Sequence, residues 1–274
     1  MKPLLRWLLS LAVAALFLAP LLWMLLASFR DEAHIFAFSR STWLSPAGWT
    51  LHNYADAWRR AALGQAFLVS LAQVTVIAAG GLLLNAMAAY AFARCAFRGR
   101  DLLFAVVVGL IILPVEVLAV PMFFTVRDLG LLGEPWRAFG GLTLPFVVKA
   151  FNIYFLRQHF LAVPTALEEA AALEGAGIWR QFWHVGLPSI RPALATVAVL
   201  DLLTHWGDFL WPLLVGTRES TRTVQIGLAN LFTQPPIQWG AILACSVLAT
   251  LPVIALFRVL QRFIVVTDTG AGIK

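Results

Sequence analysis

Apolar residues gather into six long runs along this chain, roughly residues 7–29, 66–93, 102–126, 138–155, 193–215 and 239–260. A run of 18 or more apolar residues is long enough to cross a bilayer as a helix rising 1.5 Å per residue. Lipid offers backbone groups no hydrogen-bond partners, so the spans must be helices. The pattern therefore predicts an all-α integral membrane protein with six transmembrane helices. The first run lies close to the N-terminus but is too long for the apolar region of a signal peptide, and it is read as a retained helix.

Composition supports this pattern. Of 274 residues, 61% are hydrophobic and 12% charged, against about 25% charged in a typical soluble domain. The formal charge of +6 does not point to nucleic acid, because the basic residues sit in short loops where they set topology. With six spans, one side carries 11 basic residues, including Arg94, Arg98 and Arg100 in the tight loop "ARCAFRGR", and the other carries 8. This bias predicts that both termini are cytoplasmic. Aromatics in the external segment 30–65, among them Trp43, Trp49, Tyr54 and Trp58, suit the headgroup level. Cys95 and Cys245 make neither a disulfide framework nor a metal-ligand spacing. No phosphate-cradling loop is present, and neither a cofactor nor a metal is expected.

One long cytoplasmic segment is polar and patterned: "EEAAALEGAGIWRQFWHVGLP", residues 168–188. Thr165 and Glu168 have capping-box spacing, and Glu168 and Glu169 fall in the first turn of an Ala-rich helix. Gly175 suits the left-handed position that ends a helix, Gly177 a sharp turn, and Pro188 the stop of a second short helix. Trp179, Phe182 and Trp183 fit a linker helix lying at the interface. The small Ala residues and two placed glycines fit a helix on which another protein docks.

The stretch resembles the EAA loop of ABC-importer permeases, here Glu169-Ala170-Ala171, Glu174-Gly175-Ala176 and Leu187-Pro188. Further stretches in the same order, "NAMAAYAFARCAFRGR", "LPVEVLAVPMFFTVRDLGLL", "LTLPF", "FLRQHF", "HWGDFLWPLLV" and "LQRFIVV", resemble the shorter, maltose-transporter-like permeases of carbohydrate uptake. The chain departs from that pattern at Glu174, where Asp is common, at Gly207, where Asn is usual, and in its tail, "TDTGAGIK".

The resemblance implies a single permease domain over residues 1–274, with a first helix at about 7–29, a five-helix core at about 66–262 and an EAA loop at 164–188 forming a coupling helix. The implied partners are an ABC ATPase dimer, a second homologous permease and an extracytoplasmic substrate-binding protein, in a bacterial or archaeal inner membrane. Glu169, Ala170, Ala171, Glu174, Gly175, Ala176, Leu187 and Pro188 are the implied ATPase-docking residues. Segment 216–238 would meet the binding protein, and residues 269–274 would reach the ATPase.

Ionisable and amide groups inside the spans are candidates for a substrate pathway: Asn85, Glu116, Lys149, His205 and Asp208. For each, a structural contact between helices is the commoner explanation, most of all for His205 and Asp208, one turn apart on a helix. Pro114 and Pro121 predict a kink around Glu116. Lys149 either snorkels or pairs with an acid of a second permease, and Asp201 is expected near the cytoplasmic end with Arg191. A stand-alone secondary transporter is the alternative, but it would leave the EAA-like loop without a purpose and predicts internal repeats that the chain does not display. An embedded enzyme is disfavoured by the lack of catalytic motifs.

Overall fold

The structure is a computed structural model, and it describes residues 3–37, 48–216 and 218–264, with side chains as far as residue 258. Among these residues the chain is almost wholly helical, with one isolated antiparallel bridge between Arg30 and Trp49. The expectations for Trp43 and for the tail 269–274 lie outside the described residues. The helices, in chain order, are α1 Pro3–Ala27, α2 His52–Arg60, α3 Leu63–Arg94, α4 Arg100–Ile111, α5 Val115–Asp128, α6 Pro135–Thr143, α7 Ala150–Ala162, α8 Thr165–Leu173, α9 Ile178–Gln181, α10 Leu187–Ser189, α11 Arg191–Trp206, α12 Leu210–Val215, α13 Val224–Leu231 and α14 Trp239–Ile264.

Three uninterrupted helices, those at 4–27, 63–94 and 239–258, are long and apolar enough to cross a membrane. Three bent pairs reach the same length when each is taken together: α4 with α5 at 108°, the segment 135–146 with α7 at 48°, and the segment 178–189 with α11 at 76°. The kink expected near Glu116 is therefore a full break, and it falls at Ile112–Pro114 rather than at Pro121. Proline disfavours a helical residue before it, here Leu113, and donates no hydrogen bond, and Pro114 itself is extended, with φ −66° and ψ 135°. Pro121 is carried inside α5. The run 138–155 is likewise divided, by a 3-10 turn at Leu144–Phe146 and by extended Lys149, with φ −127° and ψ 127°. The run 193–215 is divided at Gly207–Phe209.

The chain forms two compact units. The first comprises residues 1–67 and 223–252. Polar contacts to backbone tie it together. Asn53 Nδ2 donates to the carbonyls of Ser28 and Arg30 at 2.9 and 2.6 Å, and Arg60 donates to those of Gln234 and Pro236. Tyr54 is half-buried and its hydroxyl shares a 2.7 Å hydrogen bond with Ser28 Oγ. Glu32 accepts from the N–H groups of Trp239 and Gly240 at 2.9 and 3.1 Å, so its carboxylate caps the N-terminus of α14. Glu32→Ala is expected to lower the stability of the detergent-solubilised protein by about 1 kcal/mol, the usual cost of a lost cap. A thermal-unfolding midpoint identical to wild type would refute that role.

The second unit comprises residues 68–222 and 253–274. One apolar cluster gathers Ala86, Ala89, Tyr90, Ile153, Leu156, Phe160, Phe182 and Ile190 from α3, α7 and the segment 182–190. Another joins Val126, Leu142, Trp211 and Val215. Trp211 also donates its indole N–H to the Gly141 carbonyl at 3.2 Å, the partner that a buried indole requires. These two clusters set the frame for the candidate sites.

Candidate functional site

The segment 165–189 folds as a helical hairpin. Its first arm, α8, ends in a full Schellman motif: Ala176 N–H reaches the Ala171 carbonyl and Gly175 N–H the Ala172 carbonyl, both at 2.9 Å. Gly175 takes φ +80°, as its place in the sequence predicts.

The expected capping box is absent. Pro164 is the N-cap, Thr165 is already helical, and no side chain caps this end. Glu168 turns inward instead and pairs with Arg94 Nε at 2.8 Å, with only about a tenth of either side chain exposed. Arg94 Nη2 also donates to the Val163 carbonyl at 2.7 Å. The buried charge partner outcompetes a local cap that water could satisfy.

Two further expectations change. Gly177 is extended with φ −68° and ψ 169°, a conformation open to any residue, so it is not the glycine the turn depends on. Pro188 does not stop the second arm. The arm passes through a π turn at Phe182–Gly186, whose last bond runs from Leu187 N–H to the Phe182 carbonyl, and Pro188 follows inside the short helix α10. The break comes at Ile190, with φ −110° and ψ 19°. Proline brings no N–H, so a widened turn just before it is a low-strain way to continue.

The second arm is seated by an aromatic nest. Tyr90 stands 5.2 Å from both the Phe160 and the Phe182 ring centroids in edge-on geometry. Gly186 lies against them so closely that an added Cβ would fall 3.0 Å from Tyr90 and 3.3 Å from Phe160.

The hairpin's outward face contains Glu169, Ala170, Glu174 and Gly175, all exposed. Ala171, Ala176, Leu187 and Pro188 are half-buried toward the protein. Leu173 is 92% exposed at the hairpin tip and stands out as an apolar knob. Sequence reasoning passed over it as one leucine in an apolar chain, although its spacing of four from Glu169 places both on one helical face.

The intramembrane candidates separate into three groups. Asn85 and Lys149 come together in a buried polar cluster. Lys149 Nζ lies 2.5 Å from Asp201 Oδ1, and Asn152 Nδ2 donates to Asp201 Oδ2 at 2.8 Å. Asn85 donates to the Val147 carbonyl at 3.0 Å and accepts from Lys149 N–H at 2.9 Å, so it satisfies the backbone freed by the break before α7. Gly81 makes room for this contact, since a Cβ there would meet the Val147 carbonyl at 2.9 Å. Lys149 thus neither snorkels nor waits for a second permease, and Asp201 is buried in the body of α11 rather than left at its end.

His205 and Asp208 form the second group. His205 is buried against Phe146, with ring centroids 5.0 Å apart, and neither ring nitrogen has a hydrogen-bond partner among the described residues. Asp208 Oδ2 lies 3.9 Å from its Nδ1, and Asp208 Oδ1 accepts from Trp211 N–H at 3.4 Å. Glu116, the third, is exposed in the first turn of α5 and among the described residues joins neither group. Beside the hairpin, an open cavity of about 850 Å³ is lined mainly by apolar residues including Phe155, Pro164, Leu167, Ile190 and Pro192.

Residues 81–265 match the family described as binding-protein-dependent transport system inner membrane component. The chain belongs to that family. As a member it is a membrane-embedded transport permease subunit, not an enzyme. The family member is 35% identical over 249 residues to the diacetylchitobiose uptake system permease protein NgcG of Streptomyces coelicolor, across 89% of this chain and 80% of the relative. It is 32% identical to the arabinooligosaccharides transport system permease protein AraQ of Halalkalibacterium halodurans, across 100% of this chain and 98% of the relative. The sn-glycerol-3-phosphate transport system permease protein UgpE of Yersinia enterocolitica is 29% identical across 91% of this chain and 90% of its own length. A chain from the crystal structure of a bacterial ABC transporter involved in the import of the acidic polysaccharide alginate superposes with a TM-score of 0.80 at 22% identity, across 94% of this chain and 95% of that one. At that identity the likeness establishes the fold.

Proposed function

We propose that this permease serves an ATP-driven importer of a carbohydrate or related polyol. In this reading it forms the pathway with a second homologous permease, receives its cargo from an extracytoplasmic binding protein, and is driven by a separate ATPase dimer on the cytoplasmic side, where both of its termini lie. Relatives named for diacetylchitobiose, arabinooligosaccharides and sn-glycerol-3-phosphate support cargo of polyhydroxylated character.

The observation that carries the ATPase assignment is the preformed hairpin with its exposed Glu169, Leu173, Glu174 and Gly175. A carboxylate offers a charge-assisted hydrogen bond to a basic partner, and an exposed leucine beside it supplies an apolar anchor. A fixed helix end lets the partner bind without ordering a loop first.

Along the pathway, Asn85 and Lys149 already bond to other helices or to freed backbone within the chain, which favours a role in holding helices together. His205 and Asp208 retain unused capacity, which makes them the better candidates for hydroxyl groups of a passing substrate. Glu116 is exposed on α5 and is a weaker candidate of the same kind.

The test is retention of the ATPase subunit on the tagged permease in detergent. Glu169→Arg combined with Leu173→Asp is expected to abolish retention, while the second permease still co-purifies. ATPase retained at wild-type level would sink the docking assignment.

A further inference from the structure

We infer that Arg94 and Glu168 form the link that carries displacement of the docking hairpin into α3. This inference rests on the docking assignment above. Glu168 and Glu169 are neighbours in α8, and successive helical positions point about 100° apart around the axis. Glu169 faces outward, where a partner would bear on it, and Glu168 faces inward onto Arg94. Any force on the outer face of α8 therefore reaches Arg94 within one residue.

Arg94 is the last residue of α3, a helix of 32 residues without a break. At 1.5 Å per residue such a helix is about 48 Å long, enough to cross the bilayer. The helices that continue from the hairpin in sequence, α7 and α11, each adjoin a break, at Lys149 and at Gly207–Phe209. Of the helices the hairpin touches, α3 is the one that transmits motion undivided. Nine residues above Arg94, Asn85 ties the same helix to the backbone at Val147 and Lys149, and through Lys149 to Asp201 of α11. Movement imposed at Arg94 thus arrives at the polar cluster.

The contact is suited to transmission. A buried ion pair contributes little net stability, because desolvation offsets the attraction, but it is intolerant of being pulled apart. An apolar contact can slide, whereas the Arg94 guanidinium is fixed by its hydrogen bond to the Val163 carbonyl and keeps the Glu168 carboxylate at ion-pair distance, 2.8 Å from Nε. Arg94 and Glu168 are accordingly positioning residues that act through α3.

The test uses the complete importer, reconstituted with its second permease, ATPase and binding protein, and ATP–vanadate as the probe of the driven state. Cys95 and Cys245 are replaced by serine, and spin labels are placed at Leu84 on α3 and at Ala166 on α8, both exposed. In the parent, the distance between labels should be the same with and without ATP–vanadate, since the two elements move together. In Arg94→Gln it should match the parent without nucleotide and shift by about 2 Å or more on trapping, the size of helix displacements at switching interfaces. Arg94→Lys, which keeps a cationic donor for both Glu168 and the Val163 carbonyl, should retain the parent behaviour.

A purely structural pair would disturb the distance in both states, and that result would overturn the link. An unchanged distance in Arg94→Gln on trapping would overturn it as well. If the parent itself fails to bind the ATPase, the docking assignment fails and the link with it. If the ATPase binds and traps but the variant tracks the parent, the link alone fails.

Discussion

Replacing Lys149 by methionine is expected to cost the permease about 3–5 kcal/mol, the penalty for leaving a buried carboxylate without its counter-charge. Asp201 is 3% exposed, and its remaining partner is Asn152 at 2.8 Å, an amide that cannot neutralise it. Folded domains are commonly stable by 5–15 kcal/mol, so the loss should be visible as a lower thermal-unfolding midpoint in detergent and less protein in the membrane. The companion double variant, Lys149→Met with Asp201→Asn, removes the stranded charge and should recover most of the loss. A coupling energy near zero in that double-mutant cycle would show that the pair is incidental.

Asp in place of Gly175 is expected to act differently, by abolishing ATP-driven transport while leaving insertion and folding nearly intact. Gly175 holds φ +80°, so any side chain there carries a local cost of about 1 kcal/mol. Among the described residues, no atom beyond the two chain neighbours lies within 4 Å of the position an added Cβ would occupy, so packing there adds nothing to that cost. The new carboxylate projects from the hairpin tip beside Glu174, onto the surface assigned to the ATPase. An interface that loses about 2–4 kcal/mol at such a central position weakens roughly 30- to 1000-fold. The measurement is nucleotide-dependent uptake by vesicles that hold normal amounts of the variant. Uptake at the wild-type rate would remove the hairpin from the coupling route.

The two predictions mark what the sequence could and could not convey. Gly175 was legible because a left-handed helix end has a local cause, confined to the residue and its near neighbours. The helical hairpin was legible for the same reason, as an Ala-rich helix closed by a glycine in an otherwise apolar chain. Glu168 was misread because local spacing suggested a cap, while its partner, Arg94, is 74 positions away in sequence. Lys149 and Asp201 were each recognised as costly inside a membrane, yet nothing local pairs residues 52 positions apart. Pro114 announced a break but not its 108° angle, which depends on what each half packs against. Leu173 was hidden by the abundance of leucine around it, since only exposure separates an apolar knob from a lipid-facing side chain.

The first helix has a consequence of its own. None of the most apolar 18-residue window of α1 is buried within the chain, and the family match begins at residue 81, well beyond it. The segment following α1 is held by Tyr54 and Asn53 at Ser28 and Arg30, just past its end. Among the described residues, then, α1 is positioned at its C-terminal end and not along its length, so its flank is left for lipid or a neighbouring subunit to cover. The few contacts at Ser28 and Arg30 therefore carry most of the intramolecular placement of a 25-residue helix.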